Sequence, residues 1–265
     1  MQEQLLYHKI YQHPSSQEWV VFVHGAGGSS SVWHKQIKAY KKHFNIVLVD
    51  LRGHGKSNNL LKAVWENKYT FKQVSQDVIE VIDALQIEKA HFIGISMGTI
   101  IIRTIGEIAP ERVRSLIMAG AVIQLDIRSK FLVKVGNALK RVLPHIWLYK
   151  LFAFIIMPRK QHEESRSLFI REAHQLTKKE FMKWFKLTAE LNPLLKYFRV
   201  QELKGPTLYV MGEEDYLFLA AVRKVVAGHS FSSLQVIANC GHVVNVEQSE
   251  AFNRLAIAFI HKLEP

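Results

Sequence analysis

The chain has 265 residues, 48% of them hydrophobic and 22% charged, with one cysteine and a formal net charge of +12. This composition supports a sizeable buried core and leaves no tract polar enough for a disordered tail. It also excludes an internal disulfide framework, since Cys240 has no partner within the chain. The basic balance points either to a solvated basic surface or to attraction for anionic substrates or a peripheral membrane contact; no nucleic-acid partner is expected, because no binding motif accompanies the charge.

Met1 to Tyr11 has no apolar stretch behind a basic start, so no secretory leader is expected. The first strand candidate is the edge segment Leu5 to Ile10. Trp19 to Val23 follows as a β-branched and aromatic run with a glycine-rich turn directly after it, and Ile46 to Val49 is a third run, ending at Asp50. Phe71, Val74, Val78, Ile82 and Leu85 then recur at helical spacing behind Thr70, a suitable N-cap. The runs His91 to Ile95, Leu116 to Val122, Thr207 to Met211 and Leu234 to Ala238 read as buried strands, and Phe252, Leu255, Phe259 and Leu263 mark a C-terminal helix. Continuous apolar strands alternating with helices predict an α/β fold: a mostly parallel central sheet with helices on both faces.

One segment interrupts that rhythm. From Asp126 to Leu203 only helical patterns occur, punctuated by Pro144, Pro158 and Pro193, which predicts three or four helices. The expected organisation is therefore a core of residues 1–125 and 204–265 with an inserted helical lid over residues 126–203. The most apolar run of the chain, Ile146 to Met157, lies inside that insertion, is broken by Lys150 and is shorter than the roughly 20 residues of a bilayer span. With the lone cysteine, this leads to a cytoplasmic expectation.

The chemistry is carried by Gly94-Ile95-Ser96-Met97-Gly98, a G-x-S-x-G pattern between a strand and an apolar helix. A turn that tight needs glycine two residues before and after the serine, and it points helix N–H groups at charge developing near the hydroxyl. His24-Gly25-Ala26-Gly27-Gly28 follows the Trp19 to Val23 strand. Its glycine-rich turn leaves a backbone N–H free, so the N–H groups of Ala26 and Met97 are the candidate oxyanion hole. A phosphate loop is excluded, because no Gly-Lys-Ser/Thr follows. A serine needs a base, and His242, in Asn239-Cys240-Gly241-His242 after the last strand, lies on the same sheet edge as Ser96. Asp215, beyond the Thr207 to Met211 strand, is the preferred acid, with Asp126 as its competitor.

These residues carry a resemblance. His24-Gly25-Ala26-Gly27, Asp50-Leu51-Arg52-Gly53-His54-Gly55-Lys56-Ser57, the Ser96 elbow and the Asp215 and His242 loops together resemble the α/β-hydrolase superfamily, in the lidded branch of small carboxylesterases and monoacylglycerol lipases. The resemblance implies an α/β-hydrolase fold, a Ser96–His242–Asp215 triad, scaffold roles for Arg52 and His54, and no cofactor. Ile95 and Thr99 depart from positions where relatives carry histidine and glycine. The implied reaction is acyl transfer on a small-molecule ester of short to medium acyl chain, with the lid run Ile146 to Ile156 either packing on the core or lining an acyl pocket. Two alternatives stay open: carbon–carbon hydrolysis or a lyase reaction of a carboxylate substrate gripped by Arg128, Arg159 or Arg166, and a slow-turnover ligand sensor. No metal site is expected, since no histidine and carboxylate cluster has ligand spacing.

Overall fold

The apolar runs pair into one sheet. In the computed structural model, residues 5–58, 69–140 and 142–263 are described; the first four residues of the N-terminal reading and Arg141 lie outside them. Seven strands among these residues, β1 (His8–Tyr11), β2 (Trp19–Val23), β3 (Asn45–Val49), β4 (Ala90–Ile95), β5 (Val113–Ala119), β6 (Thr207–Gly212) and β7 (Ser232–Ile237), align in the order β1-β3-β2-β4-β5-β6-β7. Only the edge strand β1 is antiparallel to its neighbour.

Alternate side chains of each strand point to opposite faces, and both faces are covered. Val21, Val23, Val47 and Val49 pack on helices α2 (Phe71–Ala84) and α3 (Met97–Ile108), whereas Val20, Phe22, Ile46 and Leu48 pack with Trp33, with Tyr40 of α1 (His34–Tyr40) and with the C-terminal helix. Burial on both sides is why these strands read as unbroken apolar runs. Helix α2 opens with the expected Thr70 cap, strengthened by a reciprocal bond that Thr70 N donates to the Gln73 side chain.

The register brings the functional loops together. Val23 lies opposite both Val49 and Gly94, Ile95 opposite Ala119, and Gly212 opposite Ile237. The strand ends before His24, Asp50, Ser96, Gly120 and the Asp215 and His242 loops therefore share one carboxyl edge, where open α/β sheets place their sites.

β5 differs from expectation. It ends at Ala119, because Gly120 turns the chain with φ +49°. Ala121 and Ile123 continue the apolar run only because they pack into the core beyond the strand.

Five helices lie between β5 and β6 among the described residues: α4 (Ile127–Leu139), α5 (His145–Ile156), α6 (Glu163–Ala173), α7 (Lys178–Lys186) and α8 (Thr188–Val200). Pro144 and Pro158 flank α5 as breakers, but Pro193 sits inside α8. Burial of Leu195 and Phe198 holds that helix together despite the hydrogen bond that proline forgoes, which is why a proline-based count falls short. Beyond β6, α9 (Leu219–Ala227), α10 (Val244–Glu247) and α11 (Ser249–His261) complete the chain.

The insertion is tied to the sheet edge by polar contacts. Trp184 of α7 donates its indole N–H to Arg52 O at 3.0 Å, and Tyr69 donates to Glu180, which also accepts from Lys183 at 2.9 Å. Arg52 in turn grips Asp77 of α2 through two contacts of 2.5 Å. Further along, Ser29 donates to Glu172 of α6 at 2.6 Å. Among the described residues, no helix is long and apolar enough to cross a membrane.

Candidate active site

Ser96 stands between β4 and α3 with φ +54° and ψ −120°, a left-handed conformation that costs a non-glycine residue on the order of 1–3 kcal/mol. The surroundings impose it. A Cβ on Gly94 would fall 2.6 Å from Gly98 C, and one on Gly98 would fall 2.3 Å from Val23 O, so neither position admits a side chain. Ser96 N donates to Ala119 O at 3.0 Å, while Thr99 returns its N–H and its hydroxyl to Ser96 O at 2.9 and 2.5 Å. Thr99 is thus a brace for the elbow.

The structure brings the three predicted side chains into one chain of hydrogen bonds. His242 Nε2 lies 2.9 Å from Ser96 Oγ, and His242 Nδ1 lies 2.8 Å from Asp215 Oδ2. A carboxylate only accepts, so the ring proton sits on Nδ1 and the Nε2 lone pair faces the serine hydroxyl. Both Asp215 and His242 are buried, and Phe218 packs on the imidazole with ring centres 5.2 Å apart. Gly120 leaves the room this needs, since a Cβ there would meet His242 O at 2.3 Å. Asp126, the competing acid, is occupied elsewhere: it caps α4 by accepting from Ser129 N and Ser129 Oγ, each at 2.7 Å.

The glycine-rich turn after β2 lies against the elbow, with the Cβ position of Gly25 only 3.2 Å from Ser96 Cβ. Two buried histidines shape it. His24 Nδ1 bonds Gly25 O at 2.8 Å while its Nε2 accepts from Leu51 N at 3.0 Å; His54 Nε2 accepts from Gly27 N at 3.0 Å. Burial pushes both pKa values down, that of His54 to about 3, so both rings are neutral near pH 7 and keep their acceptor nitrogens. Ala26 and Met97 border the same cavity as Ser96 and His242.

That cavity has a volume of about 270 Å³. Its walls above the serine come from the insertion, with Tyr149, Phe152 and Ile156 of α5 facing Phe181, Trp184 and Phe185. The apolar run of α5 therefore does line a pocket on one side. No lysine or arginine is among the described lining residues; the charged side chain present is Glu172, which Ser29 engages. Arg128, Arg159 and Arg166 lie elsewhere. Arg128 sits over the Tyr216 ring, Arg159 pairs with Glu214, and Arg166 donates to Met157 O and Arg159 O. Cys240 is buried, and desolvation pushes its thiol pKa up, as for a packing residue. Among the described residues, no group of three or more His, Cys, Asp or Glu side chains is placed to hold a metal ion.

Sequence reasoning passed over Glu247. Its carboxylate accepts from Gly241 N at 2.5 Å and from Val243 N at 3.2 Å, the backbone groups on either side of His242, and from Ser165 Oγ of α6 at 3.1 Å. No motif marks it, because its partners around His242 are backbone groups that any sequence supplies, and Ser165 lies 82 residues away in the chain.

Residues 18–142 match the family model for the alpha/beta hydrolase fold. The chain is 35% identical over 112 residues to 3-oxoadipate enol-lactonase 1 of Acinetobacter baylyi, a match spanning 42% of this chain and 40% of that protein. It is 27% identical over 259 residues to the 2-hydroxy-6-oxononadienedioate/2-hydroxy-6-oxononatrienedioate hydrolase 1 of Pseudomonas putida, covering 92% of this chain and 88% of that one. The solved enol-lactonase of Burkholderia xenovorans superimposes with a TM-score of 0.79 at 20% identity, over 97% of this chain and 96% of the other. Sheet order and these matches define the α/β-hydrolase fold. The chain has the α/β-hydrolase fold, and it is similar to an enol-lactonase and to the Pseudomonas putida hydrolase.

Proposed function

We propose that the protein is a serine carboxylesterase acting on uncharged esters of short to medium acyl chain, with Ser96 as nucleophile, His242 as base and Asp215 as the acid that orients it. The observation that carries this reading is the Ser96–His242–Asp215 hydrogen-bond chain at the floor of an apolar cavity. In the proposed reaction the Ser96 hydroxyl proton passes to His242 Nε2 as Oγ bonds to the ester carbonyl carbon. The N–H groups of Ala26 and Met97 hold the oxyanion, each worth about 3 kcal/mol in comparable sites. Collapse breaks the bond to the alkoxy oxygen, which leaves with the proton from His242. Water then attacks the acyl-enzyme by the same route, releasing the acid. Helices α4 to α8 act as a lid that keeps this chemistry in a water-poor cleft.

The lining supports a neutral substrate over the carbon–carbon alternative. The Pseudomonas putida relative is named for a dioate. A dianion in the present cavity would meet Glu172 and no lysine or arginine among the described lining residues, an uncompensated burial of charge.

The test is reaction with a fluorophosphonate followed by intact mass, then 4-nitrophenyl esters from acetate to octanoate. The expected result is one adduct on the wild type, none on Ser96→Ala, and a kcat/KM that rises with chain length before the cavity is full. A folded wild type that stays unlabelled overturns the triad. Labelling with no dependence on acyl length overturns the apolar-ester assignment while leaving the triad intact.

A further inference from the structure

Helix α5 is apolar almost all round, and a helix of that kind is normally buried on every side. Its inner face is: Leu148, Tyr149 and Ala153 are buried beneath it. Its outer face is not. Trp147, Leu151 and Phe154, spaced four and three residues apart on one side, are 61%, 38% and 56% exposed. Helix α4 packs on α5 where Gly136 meets Phe152, and it too presents apolar residues to water, Ile127 at 87% and Phe131 at 65%, one turn apart. Val142, in the connection between the two helices, is exposed as well. Large apolar side chains on adjoining helices with no core to face mark an interaction surface.

The charge around them selects the partner. From Ile127 to His162 the chain contains no aspartate or glutamate, while Lys130, Lys134 and Lys150 stand exposed among the apolar side chains. Lys150 lies over the Trp147 ring, and Arg166 lies over Phe154 at 4.6 Å. Aromatic rings capped by cations, on helices whose charged residues are all basic, are the composition of a surface that rests in a lipid headgroup layer. A second copy of the same face would bring like charges together. A polyanion would engage the lysines but leave the apolar side chains in water.

We infer that the outer face of α4 and α5 docks on an anionic lipid surface. The inference does not depend on the esterase reading, although the geometry links the two. Phe152 and Ile156 line the cavity from the side of α5 opposite the exposed face, so docking places the cavity about one helix diameter, ~10 Å, from the lipid.

The test is co-sedimentation of the full chain with vesicles of phosphatidylcholine alone and of phosphatidylcholine with phosphatidylglycerol. Variants are Trp147→Ala/Phe154→Ala and Lys130→Glu/Lys134→Glu, with melting temperature and fluorophosphonate labelling in the absence of lipid as controls for folding. The expected result is binding to the phosphatidylglycerol vesicles that weakens with salt, with each double variant losing about tenfold or more in affinity. Absence of binding, or equal binding to both vesicles, overturns the inference. So does loss in the lysine variant alone together with equal retention on heparin, because that pattern describes a polyanion site without apolar insertion.

Discussion

Asp215 and Asp126 are chemically identical and both follow a strand at the same sheet edge, yet one reaches His242 and the other caps a helix. Their amide variants should separate accordingly. In Asp215→Asn a single amide oxygen must serve both Phe218 N–H and His242 Nδ1, and an NH2 turned toward the ring favours the wrong tautomer. On an ester such as 4-nitrophenyl butyrate, kcat should therefore fall by roughly 10³- to 10⁴-fold with the fold intact. Asp126→Asn keeps a capping oxygen, and its kcat should stay near wild type. Equal losses in the two variants would mean that the acid is misassigned. The buried histidines make a second prediction, on stability. In the unfolded chain His24 and His54 titrate near 6.5, whereas in the fold both lie lower, His54 at about 3. Between those values the unfolded chain binds protons that the folded chain refuses, so stability is lost as pH falls below about 6.5 and continues to fall toward about 3. The melting temperature should therefore drop from pH about 7 to about 5, and His54→Gln should show a shallower drop. Parallel curves would place the acid sensitivity in other groups.

At the scale of elements, the loop carrying His242 is held by α10 and α6 as much as by its own strand. Glu247 brackets the histidine by accepting from the N–H groups on either side of it, and its neighbour His162 of the insertion lies 3.0 Å from Glu214. In Glu247→Gln one acceptor becomes a donor facing another donor, which should shift the loop. The expectation is a kcat lower by roughly 10- to 100-fold with KM nearly unchanged, a positional loss of the kind small displacements produce. A change confined to melting temperature would reduce Glu247 to a structural tie. Much at this scale was readable in advance. β2, β3, β4 and β6 announced themselves because both of their faces are buried, and α2 because its stripe and cap are local features. The end of β5 was not, since Ala121 and Ile123 stay apolar for the sake of the core after Gly120 has turned the chain. Nor was the number of helices in the insertion, where tertiary burial of Leu195 and Phe198 keeps α8 whole around Pro193.

For the whole molecule, the last two helices of the insertion share the apolar core on one face of the sheet, while the insertion also forms a smaller cluster of its own around Tyr149 and Phe181. Trp184, Leu187, Leu195 and Phe198 belong to the same buried cluster as Val21, Val47 and Ile101, and α7 is pinned to the loop after β3 by Trp184. Unfolding should accordingly be a single transition, with tryptophan fluorescence and far-UV circular dichroism coincident in denaturant. An early fluorescence phase would instead make the insertion a separately melting unit. What the sequence determined by itself was the scaffold and the candidate site residues: strand periodicity, the glycines around Ser96, and the order of serine, aspartate and histidine are local or patterned features, and each is legible without neighbours. The tertiary structure alone decided which aspartate meets the imidazole, that Glu247 clamps its loop, that Arg128, Arg159 and Arg166 lie outside the cavity lining, and that α5 shows one apolar face to the cavity and another to water. Those outcomes depend on which surfaces come to lie together across long stretches of chain. A linear pattern carries no distance between residues so far apart, so only the packed fold could supply them.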